Sequence, residues 1–305
     1  MSQNCVFFQY IVTKMKEICC IGHITRDRII TRVPRRTVHC AGGTAYYVAW
    51  AMQALPHDVD FQVITSVSRD VMPEVEKLRR ADIDIVAYES KTNVFFENAY
   101  GENMNNRKQR VLAKSEPFTM AQLHDLQAKV FHLGTLLADD FAPELVEYLA
   151  TKGDISIDVQ GYMRYVDGEQ VKPTAWNDKL RLLKHTAILK VNEHEFCTLA
   201  GVNDLHIAAE QIHDWGVREV IITLGGNGSL IFAEGTFYEI PAYQPRETVD
   251  ATGCGDTYSA GYLYARAKGA DYGESGRFAA AMCTLKLEHN GPFRHTIEDV
   301  WKMIK

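Results

Sequence analysis

Residues 248–261 read Thr-Val-Asp-Ala-Thr-Gly-Cys-Gly-Asp-Thr-Tyr-Ser-Ala-Gly and carry the most informative pattern in this chain of 305 residues. The stretch opens a predicted helix over residues 253–268. A helix N-terminus presents unpaired backbone N–H groups and the positive end of the helix dipole. Gly253 and Gly255 let that backbone approach an anion closely. The pattern therefore predicts an anion site made of main-chain amides.

Asp256 in the same turn indicates chemistry in addition to anion binding. A carboxylate beside a phosphate repels it, but it is well suited to accept the proton of an attacking hydroxyl during phosphoryl transfer. Taken alone, Asp256 also fits an acid in the first turn of a helix. The turn lacks the third glycine of the dinucleotide fingerprint, and no Gly-Lys-Ser/Thr follows as in a Walker A loop.

Apolar runs alternate with amphipathic stretches along most of the chain. This alternation predicts an α/β fold with a mainly parallel, doubly wound sheet, helices on both faces and ligands at the carboxyl ends of the strands. The predicted strands are residues 18–21, 61–66, 130–133, 155–159, 188–191 and 220–224. The predicted helices are residues 41–55, 143–151, 205–215, 253–268, 272–287 and 296–304.

Two further segments, about 28–37 and 92–114, predict a small second sheet. It is either a lid that closes over a substrate or an edge extension of the main sheet. We expect residues 15–305 to form a single domain. Residues 1–14 precede the first predicted strand and are expected to be an N-terminal extension.

Composition excludes several classes of function. A net charge of −6 lacks the basic field that nucleic-acid binding needs. No apolar run approaches the roughly 18–20 residues of a membrane span. The seven cysteines form no Cys-x-x-Cys pair and are odd in number. They predict reduced thiols in a cytoplasmic protein, not a disulfide framework or a zinc site.

Residues 250–257, Asp-x-Thr-Gly-x-Gly-Asp-Thr, resemble the C-terminal signature of the PfkB carbohydrate kinase family, also called ribokinase-like. Cys254 stands where the family usually has alanine, and a residue that acts through its amide should tolerate this change. The resemblance implies a ribokinase-like fold and ATP-dependent phosphorylation of a hydroxyl. It implies that Asp256 is the catalytic base and that Gly253, Cys254 and Gly255 form the anion hole. It also implies a monovalent cation near Asp250 and Thr252, and a homodimer through the second sheet, as in many relatives.

Two earlier turns resemble the acceptor side of the same family. Asp27 ends a Gly-x-x-x-x-Asp pattern, and the resemblance implies that it binds substrate hydroxyls. Gly42 and Gly43 resemble the glycine pair on the substrate side. Read singly, each is an ordinary turn. Tyr47 occupies the position where ribokinases have a sugar-binding asparagine, which argues against ribose as the acceptor.

The sequence of residues 158–164 resembles that of the inositol and polyol branch of the family. Gln160 and Arg164 within it are candidates for binding hydroxyls or a phosphate, although ordinary loop polarity explains them equally well.

Other turns resemble the nucleotide side. Asn192 and Glu195 match the family's Asn-x-x-Glu, whose glutamate organises Mg²⁺ and phosphates, usually through water, as suits a hard cation. The same pair also fits a helix capping box, and both interpretations can hold together. Thr223, Gly225 and Gly228 resemble the loop beside the ATP phosphates and ribose, or else form a simple hairpin turn. Gly291 resembles the glycine near the adenine.

The sequence thus predicts an ATP- and magnesium-dependent kinase of a sugar, polyol or cyclitol. A nucleoside kinase of the same fold stays open, with Tyr46, Tyr47 or Phe96 stacking on the base. A regulator that binds nucleotide without catalysis also stays open, although Asp256 and Glu195 argue against it. The missing third glycine disfavours a dinucleotide oxidoreductase.

Overall fold

Strands and helices alternate through residues 15–32, 35–100 and 107–305, which are the residues that the computed structural model describes. The predicted extension, residues 1–14, lies outside them. The strands are β1 Lys16–Gly22, β2 Thr25–Arg32, β3 Arg35–Gly42, β4 Phe61–Val67, β5 Ile85–Glu89, β6 Phe95–Tyr100, β7 Arg107–Ala113, β8 Ala128–Gly134, β9 Asp154–Asp158, β10 Arg164–Asp167, β11 Gln170–Pro173, β12 Thr186–Asn192, β13 Glu219–Thr223, β14 Ser229–Ala233 and β15 Thr236–Ile240. The helices are α1 Thr44–Gln53, α2 Met72–Arg80, α3 Met120–Leu123, α4 Pro143–Ala150, α5 Lys179–Leu183, α6 Glu195–Ala200, α7 Leu205–Asp214, α8 Cys254–Ala267, α9 Tyr272–Leu287 and α10 Ile297–Ile304.

A nine-stranded sheet forms the centre of the molecule, in the order β15-β14-β13-β12-β9-β8-β1-β4-β5. Every pair from β13 to β5 is parallel, and β13, β14 and β15 pair antiparallel at one edge. Alternate residues of β1 enter two different apolar clusters. Cys19 and Ile21 pack with the residues of α4 to α7, whereas Ile18 and Cys20 pack with those of α1, α8 and α9. Helices therefore cover both faces, and the predicted α/β architecture is confirmed.

A second sheet has six strands in the order β10-β11-β7-β6-β2-β3. It contains the described parts of segments 28–37 and 92–114. It also contains the hairpin β10–β11, which the sequence pattern did not predict because its strands are short and polar. Residues 33–34 and 101–106, within the two predicted segments, lie outside the described residues.

The first helix begins three residues later than predicted. Residues 41–55 were predicted to be helical, but Ala41 and Gly42 complete β3, where they pair with Arg26 and Thr25 of β2. The helix begins at Thr44, after the turn at Gly43. Among the described residues, no helix combines the length and the apolar character that crossing a bilayer requires.

Candidate active site

A cleft of about 370 Å³ lies between the two sheets, at the carboxyl ends of the parallel strands. The large sheet contributes residues that end or follow β9, β12 and β13, together with the first residues of α8. The second sheet contributes side chains of β2, β6, β7 and β10. The predicted residues that line the cleft are Asp27, Gly43, Tyr47, Gln160, Arg164, Asn192, Glu195, Thr223, Gly225, Thr252, Gly253, Gly255 and Asp256. The fold thus brings together residues that are up to about 230 positions apart in the sequence.

The head of α8 is the part of the cleft that suits an anion. Gly253 caps the helix with φ of 78°, in the left-handed region that favours glycine. A Cβ on Gly253 would lie 2.2 Å from the Tyr47 ring, so the close approach of this ring also requires glycine. Gly253 and Gly255 both face the cleft. Their amides can therefore reach a bound phosphoryl group at the positive end of the helix dipole.

Asp256 is partly buried in the first turn of α8 and faces the cleft. Desolvation, followed by repulsion from Asp158, raises the pKa of its carboxyl group from 3.8 to about 6. The Lys190 ammonium and a hydrogen bond from the Thr44 hydroxyl oppose this rise. A carboxylate with a pKa near 6 is deprotonated at neutral pH and remains basic enough to accept a proton.

Lys190 and Asp158 form a buried ion pair under the anion site, with Nζ 2.6 Å from Oδ2. Burial alone would lower the pKa of Lys190, but the Asp158 carboxylate outweighs it and the pKa is raised, so the ammonium stays charged. Its Nζ would lie 3.2 Å from a Cβ on Gly255. The positive charge is thus next to the predicted anion hole. Sequence reasoning missed Lys190, although a lysine inside the apolar strand 188–191 was a usable signal, since a buried lysine is nearly always paired.

Asn192 and Glu195 make the reciprocal hydrogen bonds of a capping box. The Asn192 side-chain oxygen accepts from the Glu195 amide at 3.0 Å, and Glu195 Oε2 accepts from the Asn192 amide at 3.0 Å. Burial, and then the Asp158 charge, raise the pKa of Glu195. The Glu195 carboxyl group therefore lies in a region where carboxylates repel each other, and its Oε1 takes no part in the capping box. That donor chemistry fits a hydrated divalent cation.

The acceptor side consists of polar side chains from the second sheet and its hairpin. Asp27 is buried and accepts a hydrogen bond of 2.7 Å from the Thr25 hydroxyl. A Cβ on Gly42 would lie 2.6 Å from Asp27 Oδ2, so the glycine leaves room for this carboxylate. On β6 and β7, Gln109 donates to Asn98 at 3.0 Å. Sequence reasoning missed this pair because its position depends on the strand pairing.

At the start of the β10–β11 hairpin, the Arg164 guanidinium donates to the Gln160 side chain at 2.8 Å. Both side chains face the cleft, next to Asp158. Their mutual hydrogen bond holds a cationic group and an amide on the same wall, an arrangement that can contact either hydroxyls or a phosphate.

Some predicted residues do not line this cleft. Gly42 lies behind Asp27, and the Cys254 thiol faces the Cys283 carbonyl at 3.8 Å. Gly228 closes the turn between β13 and β14. Gly291 donates its amide to Asp250 Oδ2 at 3.2 Å. Each of these four residues therefore supports the cleft from outside.

The expected monovalent-cation position at Asp250 is next to a lysine. The Lys286 ammonium of α9 donates to the Asp250 carbonyl at 2.7 Å and to Asp250 Oδ2 at 3.2 Å. Thr252, the other residue of that expectation, donates its amide to Asp250 Oδ1 at 2.9 Å.

The known proteins that this chain resembles are small-molecule kinases. The family model "pfkB family carbohydrate kinase" matches residues 15–296. A cytidine kinase of Thermococcus kodakarensis is 25% identical over 291 residues, which cover 93% of this chain and 100% of that protein. A nucleoside kinase of Methanocaldococcus jannaschii is 33% identical over 114 residues, which cover 37% of this chain and 36% of that protein. A solved pyrophosphate-dependent kinase of the ribokinase family, complexed with a pyrophosphate analog and myo-inositol, superposes with a TM-score of 0.83 at 27% identity and covers 93% of this chain and 99% of that chain.

These relatives confirm the ribokinase-like fold that the signature at residues 250–257 implied. The family match also spans both sheets and the glycine-rich head of α8. The chain therefore belongs to the pfkB family of carbohydrate kinases and is an enzyme that phosphorylates a hydroxyl group.

Proposed function

We propose that this kinase transfers the terminal phosphoryl group of ATP to a hydroxyl of a sugar or cyclitol. The supporting observation is the position of Asp256. Its carboxyl, with a pKa raised to about 6, faces one cleft together with the Gly253 and Gly255 backbone and the polar side chains of the second sheet. A base, an anion site and a hydroxyl-binding wall are the three parts that this reaction needs.

In the proposed reaction, the acceptor oxygen forms a bond to the terminal phosphorus while the bond from that phosphorus to the bridging oxygen breaks. Asp256 takes the acceptor's proton, and ADP leaves with the bridging oxygen. The amides of Gly253 and Gly255 and the Lys190 ammonium stabilise the migrating phosphoryl group, since preorganised donors act most strongly where charge develops. The Cys254 amide donates to the Ala251 carbonyl and holds the turn between them. Glu195 would hold Mg²⁺ through water, and the cation would supply positive charge that neutralises the phosphates.

The character of the acceptor wall supports a polyol. Asp27, Asn98, Gln109, Gln160 and Arg164 all face the cleft, so this wall has several hydrogen-bonding groups close together. A cyclitol or sugar presents hydroxyls in many directions and can pair with such a wall. The similar structure that holds myo-inositol supports the same choice.

A nucleoside is the second candidate acceptor. The relative from Thermococcus kodakarensis, which aligns over 93% of this chain, is a cytidine kinase. Of the three aromatic residues proposed to stack on a base, Tyr47 and Phe96 line the cleft. Tyr46 lies in a separate cavity with Trp50 and Phe293. A base would therefore have to stack on Tyr47 or Phe96.

The test is a matrix of acceptors and donors. Purified protein is incubated with Mg²⁺ and either ATP or pyrophosphate, against a panel of sugars, inositols and nucleosides, and phosphorylated products are detected by mass spectrometry. The pyrophosphate arm is included because the similar structure is of a pyrophosphate-dependent kinase. We expect products from a cyclitol or sugar with ATP. Products from nucleosides alone would contradict the proposed acceptor, and products with pyrophosphate alone would contradict the proposed donor.

Three further parts of the proposal concern the whole protein. The second sheet acts as a lid over the acceptor. Two copies pair through this sheet, in which β3 is the edge strand among the residues that the structure describes; light scattering tests this dimer. The enzyme works in the cytoplasm, where its thiols stay reduced. All six cysteines in the described residues are free thiols, which agrees with that compartment.

A further inference from the structure

Lys286 is a lysine with a side chain that is completely buried. It lies on α9 with 0% of its side chain exposed. Its ammonium donates to two oxygens of one residue, the Asp250 carbonyl at 2.7 Å and Asp250 Oδ2 at 3.2 Å. Burying a lysine costs free energy unless it is paired, so a fully buried one calls for a specific reason.

Asp250 connects this ammonium to the loop that leads into the anion hole. Its Oδ1 accepts the Thr252 amide at 2.9 Å, and its Oδ2 accepts the Gly291 amide at 3.2 Å. The Asp250 amide itself donates to the Leu287 carbonyl at 3.3 Å. Every polar atom of Asp250 is therefore held: Oδ1 by its own loop, and the carbonyl, Oδ2 and amide by α9 and the segment after it. Gly253, the cap of α8, follows only three residues later.

The oxygens of Asp250 converge on a point that requires a positive charge. The half-buried Asp250 carboxylate and the Asp250 carbonyl, both directed at the same point, repel each other unless a cation lies between them. In this chain the cation at that point is covalently attached. The ammonium has nearly the size of a potassium ion and, like it, can contact several oxygens at once.

We infer that Lys286 serves as a built-in monovalent cation that positions the anion-hole loop, so that phosphoryl transfer by this enzyme does not require K⁺. The inference rests on the proposed function of Gly253 and Gly255. Lys286 is a positioning residue: it acts on the migrating phosphate only through Asp250 and the loop. It takes the place of the free monovalent cation that the sequence resemblance implied near Asp250 and Thr252.

The first arm of the test concerns the wild-type enzyme. Initial rates are measured in KCl, NaCl and choline chloride at equal ionic strength, with the donor and acceptor found active in the panel. We expect equal kcat in all three salts. A kcat that depends on K⁺ would overturn the inference.

The second arm uses two variants that differ in the space they leave. Lys286→Ala removes the ammonium and opens a space, whereas Lys286→Met removes the charge but fills the space. We expect kcat to fall about 100-fold in both, the usual effect of a misplacement of about 1 Å in a catalytic group. Addition of KCl or NH₄Cl should restore kcat about tenfold in Lys286→Ala only. Lys268→Ala, which removes an exposed lysine paired with Asp58, is the control and should keep wild-type kcat in every salt.

A third arm separates this inference from the proposed function, because it needs no substrate. The melting temperature of each ligand-free protein is measured in the same salts. K⁺ or NH₄⁺ should raise that of Lys286→Ala and leave those of wild type and Lys286→Met unchanged. Equal melting temperatures of Lys286→Ala in all salts, or full activity of Lys286→Met, would overturn the role of Lys286 even if the kinase activity is established. If Lys286→Ala does not fold, the wild-type salt series and Lys286→Met still decide the question.

Discussion

The two sides of the cleft differ in the groups that they present, which are backbone amides on one side and side chains on the other. On the donor side, a short turn at the head of α8 presents backbone amides, and buried Lys190 supports it from below. On the acceptor side, side chains of separate strands meet, among them Asp27 of β2, Asn98 of β6 and Gln109 of β7. A surface of amides keeps its chemistry when neighbouring side chains change, whereas a surface of side chains changes with each substitution. We therefore expect the donor side to control kcat and the acceptor side to control KM.

The largest effect should come from Asp256→Asn. Loss of a positioned base typically lowers turnover about 10²- to 10⁴-fold. The amide has nearly the same shape, so folding and donor binding should persist. Steady-state kinetics with the active substrate pair, together with calorimetric titration of the donor, measure both quantities. Turnover close to wild type would show that Asp256 is not the catalytic base and that the reactive group of the donor side lies elsewhere.

Gly253→Ala should be the next most harmful change. The left-handed φ of 78° strains any residue with a Cβ, at a cost of about 1–3 kcal/mol, and that Cβ would also collide with the Tyr47 ring. We expect kcat to fall about 100-fold, because the amides at the head of α8 shift.

The matched control for this change is Gly255→Ala. A Cβ at Gly255 would meet only the flexible end of Lys190, at 3.2 Å. The fall in kcat should therefore be clearly smaller for Gly255→Ala than for Gly253→Ala. Equal losses would show that the amide surface is not held as rigidly as the comparison of the two sides assumes.

The pH dependence of the rate offers a test without large changes in structure. Because desolvation raises the pKa of Asp256 to about 6, the carboxyl group protonates as the pH falls through that value. A protonated base cannot accept a proton, so kcat/KM should fall about tenfold per pH unit below pH 6. A pH–rate profile from pH 4.5 to 8 measures this. A profile that stays flat down to pH 4.5 would contradict the raised pKa.

The same pKa shift predicts a change in stability of known sign. The pKa of Asp256 is higher in the folded than in the unfolded protein, so this group makes its most favourable contribution below about pH 4. That contribution is lost as the pH rises through about 6. Asp256→Asn should therefore melt at a higher temperature than wild type at pH 7.5, and the difference should disappear near pH 4. Thermal unfolding at the two pH values checks it.

On the acceptor side, Asn98→Ala should raise KM for the acceptor about tenfold and leave kcat nearly unchanged. Loss of one hydrogen bond in a buried site costs about 0.5–1.5 kcal/mol, which corresponds to a factor of about ten at the upper end. Lys172→Ala, an exposed change on β11 of the same sheet, is the control and should leave KM unaltered. A fall in kcat with unchanged KM would assign Asn98 to the chemistry and contradict the division between the two sides.

The donor-side motif is easier to recognise in the sequence than the amide pair on the acceptor side, for a physical reason. Residues 250–257 are adjacent in the chain, and their local conformation alone creates the amide surface. The motif can therefore be recognised from the sequence alone. Asn98 and Gln109 meet only because β6 and β7 pair in one register, and the polar pattern of the hairpin does not specify that register.

Charged residues in the core were also hard to predict. Lys190 interrupts an apolar strand and was therefore detectable. Lys286 lies in the last turn of α9, where a lysine is favoured by the helix dipole and usually faces solvent. Its burial follows from the packing of α9 against the loop at Asp250, and this tertiary contact is not visible in the local sequence. The predicted start of α1 was wrong for a similar reason, because the pairing between β2 and β3 continues through Gly42.

The smallest expected effect is the coupling between the two acceptor-side amides. Gln109 donates to Asn98 at 3.0 Å, so removal of Gln109 frees Asn98 to rotate in the cleft. In a double-mutant cycle of Asn98→Ala and Gln109→Ala, the coupling energy in kcat/KM should be about 1 kcal/mol, or roughly fivefold. Because the Gln109 side chain contributes by orienting Asn98, the double variant should be hardly worse than Asn98→Ala alone. Strictly additive losses would mean that each amide contacts the acceptor separately, and the acceptor wall would then be a set of independent contacts instead of a preorganised network.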